Sequence, residues 1–169
     1  FMLSIKSMVD LGCGQEGLDL EWWATRTTRD DPPEPLNIHC VGVDVVSYLP
    51  MARKYRNISY QFGDFEQIPT EKKFDVLWSH DTFQYCMDPL ATLSRWWHLA
   101  TPGGMLAITV PHTIELHRGQ TSINLPEGYY HHTMVSLMRM LAVSGWDCGA
   151  GFFLKRPDDP WLHAIVYRS

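Results

Sequence analysis

The chain has 169 residues, 45% of them hydrophobic, which is enough for one domain with a sizeable core and too apolar for a disordered chain. Its 14 Lys+Arg against 19 Asp+Glu make it acidic and disfavour nucleic acid as the main partner, because phosphate contacts need clustered basic residues. No apolar run approaches the ~18 residues of a membrane span, and no leader-like pattern opens the chain, so no membrane association and a cytoplasmic location are expected. Cys13, Cys40, Cys86 and Cys148 form no C-x-x-C pair and are read as free thiols of a reducing compartment. No His or Cys spacing suits a metal site.

The expected elements alternate. Met8-Val9-Asp10 is an apolar run ending in an acid, read as the first strand, and Leu18 to Ala24 is a helix opening directly from the glycine-rich turn after it. Residues 30–35 hold three prolines and must be loop. Ile38 to Asp44 is a second buried strand that also ends in an acid. Leu49 to Tyr55 is a short helix, Ile58 to Phe62 a third strand by its alternation, and Phe74 to Trp78 a fourth. Pro89 to Leu99 is a helix with its proline in the first turn, where the missing N–H costs little. Pro102-Gly103-Gly104 ends that helix, and Met105 to Val110 is the fifth strand. Thr133 to Ser144 is a helix stopped by Gly145. Trp146 to Leu154 and Trp161 to Tyr167 are two last strands, joined through Arg156-Pro157-Asp158-Asp159-Pro160 as an antiparallel hairpin. Five strands separated by helices and loops imply a mainly parallel α/β sheet covered on both faces.

The stretch Val9-Asp10-Leu11-Gly12-Cys13-Gly14-Gln15-Glu16-Gly17 carries the chemistry. Glycine lets the backbone bend tightly and approach a ligand that any Cβ would hold off. A dinucleotide turn places pyrophosphate against the helix N-terminus, and a carboxylate at Asp10 would repel it. Asp10 instead suits a ligand that presents a cation. Cys13 within the turn is read as a small residue whose backbone matters, not as a nucleophile.

These residues resemble the class I S-adenosylmethionine-dependent methyltransferases, the broad small-molecule group whose first motif reads Asp-Leu-Gly-Cys-Gly. The resemblance runs from about Val9 to Pro111. Gly12-Cys13-Gly14-Gln15-Glu16-Gly17 is one residue longer than the family's commonest Gly-x-Gly-x-Gly spacing. S-adenosylmethionine carries an ammonium and a sulfonium and no phosphate, in agreement with the charge argument. The fold implied is a Rossmann-like, doubly wound seven-stranded sheet, mostly parallel, with an antiparallel strand from the C-terminal hairpin. A single methyltransferase-like domain over residues 1–169 is expected. Family members carry a helical segment before the first strand, and only Phe1 to Ser7 precede it here. The expectation is a trimmed piece of a longer protein, or a protein partner or oligomer covering the cofactor pocket.

The resemblance implies that Asp10, Gly12, Cys13 and Gly14 hold the methionine half of S-adenosylmethionine. Asp44 accepts the ribose hydroxyls and Val45 follows it. Asp64 takes the adenine amino group beside Phe65, and Ser79 and His80 run past the sulfonium. Each has a plainer alternative, with Asp44 or Asp64 as a cap and Phe65 as core. His80 is the candidate general base, its alternative a histidine bonded to cofactor or backbone. Tyr85, His112, Tyr129 and Tyr130 are the acceptor-side candidates, the last two within a long connection after the fifth strand. The function expected is methyl transfer to a small-molecule acceptor by in-line displacement. The competing readings are a non-catalytic scaffold or regulatory module and a nicotinamide-dependent oxidoreductase, the latter disfavoured by Asp10 and the hairpin.

Overall fold

The computed structural model describes residues 5–30, 32–45, 54–112, 132–156 and 161–169. Its elements are β1 (Ser7–Leu11), α1 (Leu18–Ala24), β2 (His39–Asp44), β3 (Ile58–Phe62), β4 (Phe74–His80), α2 (Pro89–Leu99), β5 (Ala100–Pro111), α3 (Met134–Val143), β6 (Trp146–Leu154) and β7 (Trp161–Arg168), with a 3₁₀ turn at Phe83–Tyr85. They form a seven-stranded sheet in the order β3-β2-β1-β4-β5-β7-β6. The ladders joining β1 to β5 are parallel, and β7 runs antiparallel to both its neighbours. The sheet is therefore the mixed, doubly wound one expected. The chain leaves β1 in one direction through β2 and β3 and returns to its other side at β4. The gap beyond the carboxyl ends of β1 and β4 is the topological switch point, where open α/β sheets bind ligands.

Strand periodicity sorts the core onto two faces. Val9, Val41 and Leu77 point into a large cluster with Leu93, Trp96 and Leu137 from α2 and α3. Their chain neighbours Met8, Cys40 and Val76 point the other way, against Leu20 and Trp23 of α1. Helix α1 starts at Gly17 with no side-chain cap, and Asp19 and Glu21 in its first turn complement the positive end of the helix dipole. Helix α2 is capped by Asp88, which accepts from Ala91 N at 3.0 Å, with Pro89 in the first turn. In α3 Thr133 and Ser136 cap each other reciprocally.

Most boundaries agree within a residue, and two strands run further than the sequence reading. β4 continues through Ser79 and His80, so these two residues belong to the strand end and not to the loop beyond it. β5 begins at Ala100 without a break, and Pro102-Gly103-Gly104 lie within it. They are absorbed by a shift in register: the β5 partner moves from Ala100 to Met105 while β4 advances only from Phe74 to Val76. A bulge tolerates the proline's missing donor and the glycine's positive φ, where a regular ladder would not. The helix expected at 49–55 lies outside the described residues except for its last two positions. So do most of the hairpin turn and nearly all of the connection after β5.

Trp96 anchors the larger face. It is fully buried, its indole N–H donates to Phe65 O at 3.1 Å, and its ring meets Phe65 and Phe83. Trp96→Ala should cost about 3–5 kcal/mol in urea unfolding, as large aromatic truncations do. Trp22→Ala, at a position 49% exposed, should cost clearly less.

Candidate functional site

The glycine turn is tied down by β2. Gly12 N and Cys13 N both donate to Val43 O, at 2.8 and 3.2 Å, and Gly14 N donates to Asp44 Oδ2 at 2.8 Å. Gly12 and Gly14 hold φ of 84° and 65°, backbone that a side chain resists. At Gly12 a Cβ would also lie 2.2 Å from Thr82 Oγ1, so the β4 loop closes directly onto the turn. The Thr82 hydroxyl lies within hydrogen-bonding distance of both His80 O (3.1 Å) and Gly12 O (3.3 Å). At Gly14 a Cβ would meet nothing within 4 Å among the described residues. That side of the turn is open cradle.

The turn, the start of α1 and the end of β4 enclose a cleft of about 440 Å³ at the switch point. Its charged walls are Asp10, Glu16, Asp19 and Asp81, with His80 among them; among the described residues no Lys or Arg lines it. Asp10 is buried, and desolvation holds its carboxyl pKa well above the usual range, with Asp19 and Asp44 adding to the rise and His80 opposing it. Asp19 Oδ2 accepts Trp78 Nε1–H at 2.9 Å and lies 3.2 Å from His80 Nδ1. The His80 bond chiefly lowers the Asp19 pKa, and the same bond raises that of His80 against the effect of burial. Asp81, at φ 54°, is raised by burial. Burial also pushes the Cys13 thiol far up, which leaves it inert as a nucleophile.

Of the residues expected at the site, Asp10, Gly12, Cys13, Gly14 and His80 line this cleft, and Asp44 reaches it through Gly14 N. Val45 sits exposed just past β2. Asp64 lines a second, smaller cleft with Glu66 and Asp88, and its Oδ1 accepts Glu66 N at 2.8 Å in a local turn. The Phe65 ring packs 6.3 Å from that of Trp96. Ser79 is buried, and its hydroxyl has no hydrogen-bond partner among the described residues. Tyr85 is partly exposed on the 3₁₀ turn, and His112 is buried in a short bridge to His132. Tyr129 and Tyr130 lie outside the described residues. Asp19, Asp81 and Thr82 escaped the sequence reading. Asp19 carried a usable signal, an acid two residues past the last glycine of the turn. Among the described residues no group of three or more His, Cys, Asp or Glu gathers to hold a metal, and no helix is long and apolar enough to cross a membrane.

A doubly wound sheet with an acidic, glycine-floored cleft at its switch point defines a Rossmann-like α/β protein. The model of the methyltransferase domain family matches residues 9–108, and the chain belongs to that family, within the class I S-adenosylmethionine-dependent methyltransferases. It is 24% identical over 115 residues to malonyl-[acyl-carrier protein] O-methyltransferase of Erwinia billingiae (strain Eb661), covering 66% of this chain and 41% of that protein. The chain thus spans less than half the length of this curated relative. A chain from the complex containing the Haloferax volcanii Trm112 methyltransferase activator superposes with a TM-score of 0.76 at 17% identity, over 96% of this chain and 81% of its own. The Burkholderia thailandensis 1,6-didemethyltoxoflavin-N1-methyltransferase, solved with 1,6-didemethyltoxoflavin and S-adenosylhomocysteine, gives 0.70 at 16% identity, over 96% and 71%. Both structural likenesses speak for the fold.

The Asp10 environment has a measurable cost. A carboxyl whose folded pKa is raised contributes stability below its unfolded pKa and loses it as pH rises through the folded value. Asp10→Asn should therefore be more stable than the parent at neutral pH without ligand, with a thermal midpoint that falls less between pH 4 and pH 8. Thermal melts across that range check it; a variant less stable at pH 7 would contradict it.

Proposed function

We propose that this chain binds S-adenosylmethionine in the β1/β4 cleft and transfers its methyl group to a small-molecule acceptor. One observation carries the reading: the buried Asp10 and its acidic neighbours face an open glycine cradle that, among the described residues, no Lys or Arg lines. A group bearing two positive charges and no phosphate relieves that excess, whereas a pyrophosphate would aggravate it. The open side of Gly14 leaves room for the ligand backbone there. The residues therefore fit this cofactor.

When bound, S-adenosylmethionine supplies a methyl carbon already activated by its sulfonium. The chain's part is to hold and align, which alone can supply much of a displacement's acceleration. In this reading Asp10 and the backbone of Gly12, Cys13 and Gly14 hold the methionine end. The Asp44 carboxylate, with two oxygens and about four acceptor sites, serves the turn and the ribose together. Val45, Asp64 and Phe65 lie toward the base, Ser79 and His80 alongside the sulfonium, and Tyr85, His112, Tyr129 and Tyr130 on the acceptor side. His80 takes a proton where the acceptor still carries one. The names of the relatives support a small acceptor group, since one is a malonyl-[acyl-carrier protein] O-methyltransferase and another a 1,6-didemethyltoxoflavin-N1-methyltransferase. Four free cysteines support a reducing, cytoplasmic setting. A protein partner over the cleft is proposed on the footing of the structural neighbour that is complexed with an activator.

Calorimetric titration with S-adenosylhomocysteine should show one saturable site per chain. Asp44→Ala should weaken it about 10- to 100-fold, the loss of roughly 1.5–3 kcal/mol of hydrogen bonding to a charged group. Absence of saturable binding by the parent chain would overturn the proposal.

A further inference from the structure

Asp19 and His80 stand 61 residues apart in sequence, one in the first turn of α1 and the other at the last position of β4, and they meet on the wall of the cleft. Trp78 and His80 are two apart on β4 and share the sheet face that carries α1, which is why one carboxylate oxygen reaches both. An ionised carboxylate only accepts hydrogen bonds, so the nitrogen facing it must carry the hydrogen. The neutral His80 ring then holds its proton on Nδ1 and its lone pair on Nε2. The Trp78 N–H bonded to the same oxygen restrains the carboxylate from swinging away. The ring is further flanked by the edge of Trp161 from β7, 6.0 Å between centroids, and its side chain stays 48% exposed.

We infer that Asp19 is a positioning residue for methyl transfer: it fixes the orientation and tautomer of His80 so that Nε2 serves as the proton acceptor in the cleft. This rests on the methyltransferase reading of the site. For an acceptor that arrives with its proton, a hydroxyl, thiol or N–H, His80 Nε2 is placed to take it. In the step, a bond forms between the acceptor heteroatom and the methyl carbon. The carbon–sulfur bond breaks with its electron pair left on sulfur. The acceptor's proton passes to His80 Nε2, where Asp19 balances the imidazolium. The groups that face His80 are Asp19 on α1, Asp10 on β1 and Asp81 beside it, all acidic, and each favours the protonated ring.

The test is histidine side-chain ¹H–¹⁵N correlation spectroscopy across pH on the parent chain, Asp19→Ala and Asp19→Glu, with His80 assigned by its loss in His80→Gln. The parent should show the Nδ1–H tautomer and a midpoint above that of an ordinary histidine. Asp19→Ala should shift the midpoint down and mix the tautomers, and Asp19→Glu should restore both in part. An Nε2–H tautomer in the parent, or a titration unchanged in Asp19→Ala, would overturn the inference. Titration of the same parent sample with S-adenosylhomocysteine separates the two claims. Failure to bind would remove the cofactor reading, and an Nε2–H ring with binding intact would remove only the role of Asp19.

Discussion

The bond from Gly14 N to the Asp44 carboxylate, with its companions from Gly12 N and Cys13 N to Val43 O, is the constraint on which the site depends. It joins the turn after β1 to the end of β2, so two strand termini act as one wall. It also engages one Asp44 oxygen and orients the acid against the turn. Thr82 closes the assembly from β4, in a space that exists only because residue 12 has no side chain. Three parallel strands thereby present their carboxyl ends to one cleft, and the register of the sheet decides which side chains meet there.

That cleft is held in tension. Burying Asp10 beside Asp19 and Asp44 costs the ligand-free protein stability, because water no longer solvates the charge and its neighbours repel it. Sites that bind or react are where such costs are retained. His80 offsets part of the excess, and Asp19 holds it in place from α1. In the proposed reading a cationic ligand offsets more, which links the cost of burying Asp10 to the charge of the cofactor.

Much of this was legible in the sequence. Helices 18–24 and 89–99 and strand 58–62 were read with the bounds the structure shows, because hydrophobic period, a first-turn proline and flanking breakers agree there. β5 was read too short because glycine and proline usually end elements, and only the bulge opposite β4 shows how they are carried. At the site, Asp10 and Asp44 stood out because each ends an apolar run. Asp19 did not, since an acid in a first helical turn already has an ordinary electrostatic explanation. Its contact with His80 depends on a long-range pairing that no local pattern encodes. Asp64 and Phe65 were placed by motif order alone; in the structure Asp64 also closes a local turn beside a second cleft, and Phe65 also packs on the core.

The central claim is that charge selects the ligand: an acidic switch-point cleft accepts a cationic nucleoside and refuses a phosphate. Parallel titrations of the unmodified chain with S-adenosylmethionine and with reduced nicotinamide adenine dinucleotide test it most directly. The account predicts saturable binding of the first, weakening as salt is raised, and no binding of the second. Binding of the dinucleotide in preference to S-adenosylmethionine would contradict it.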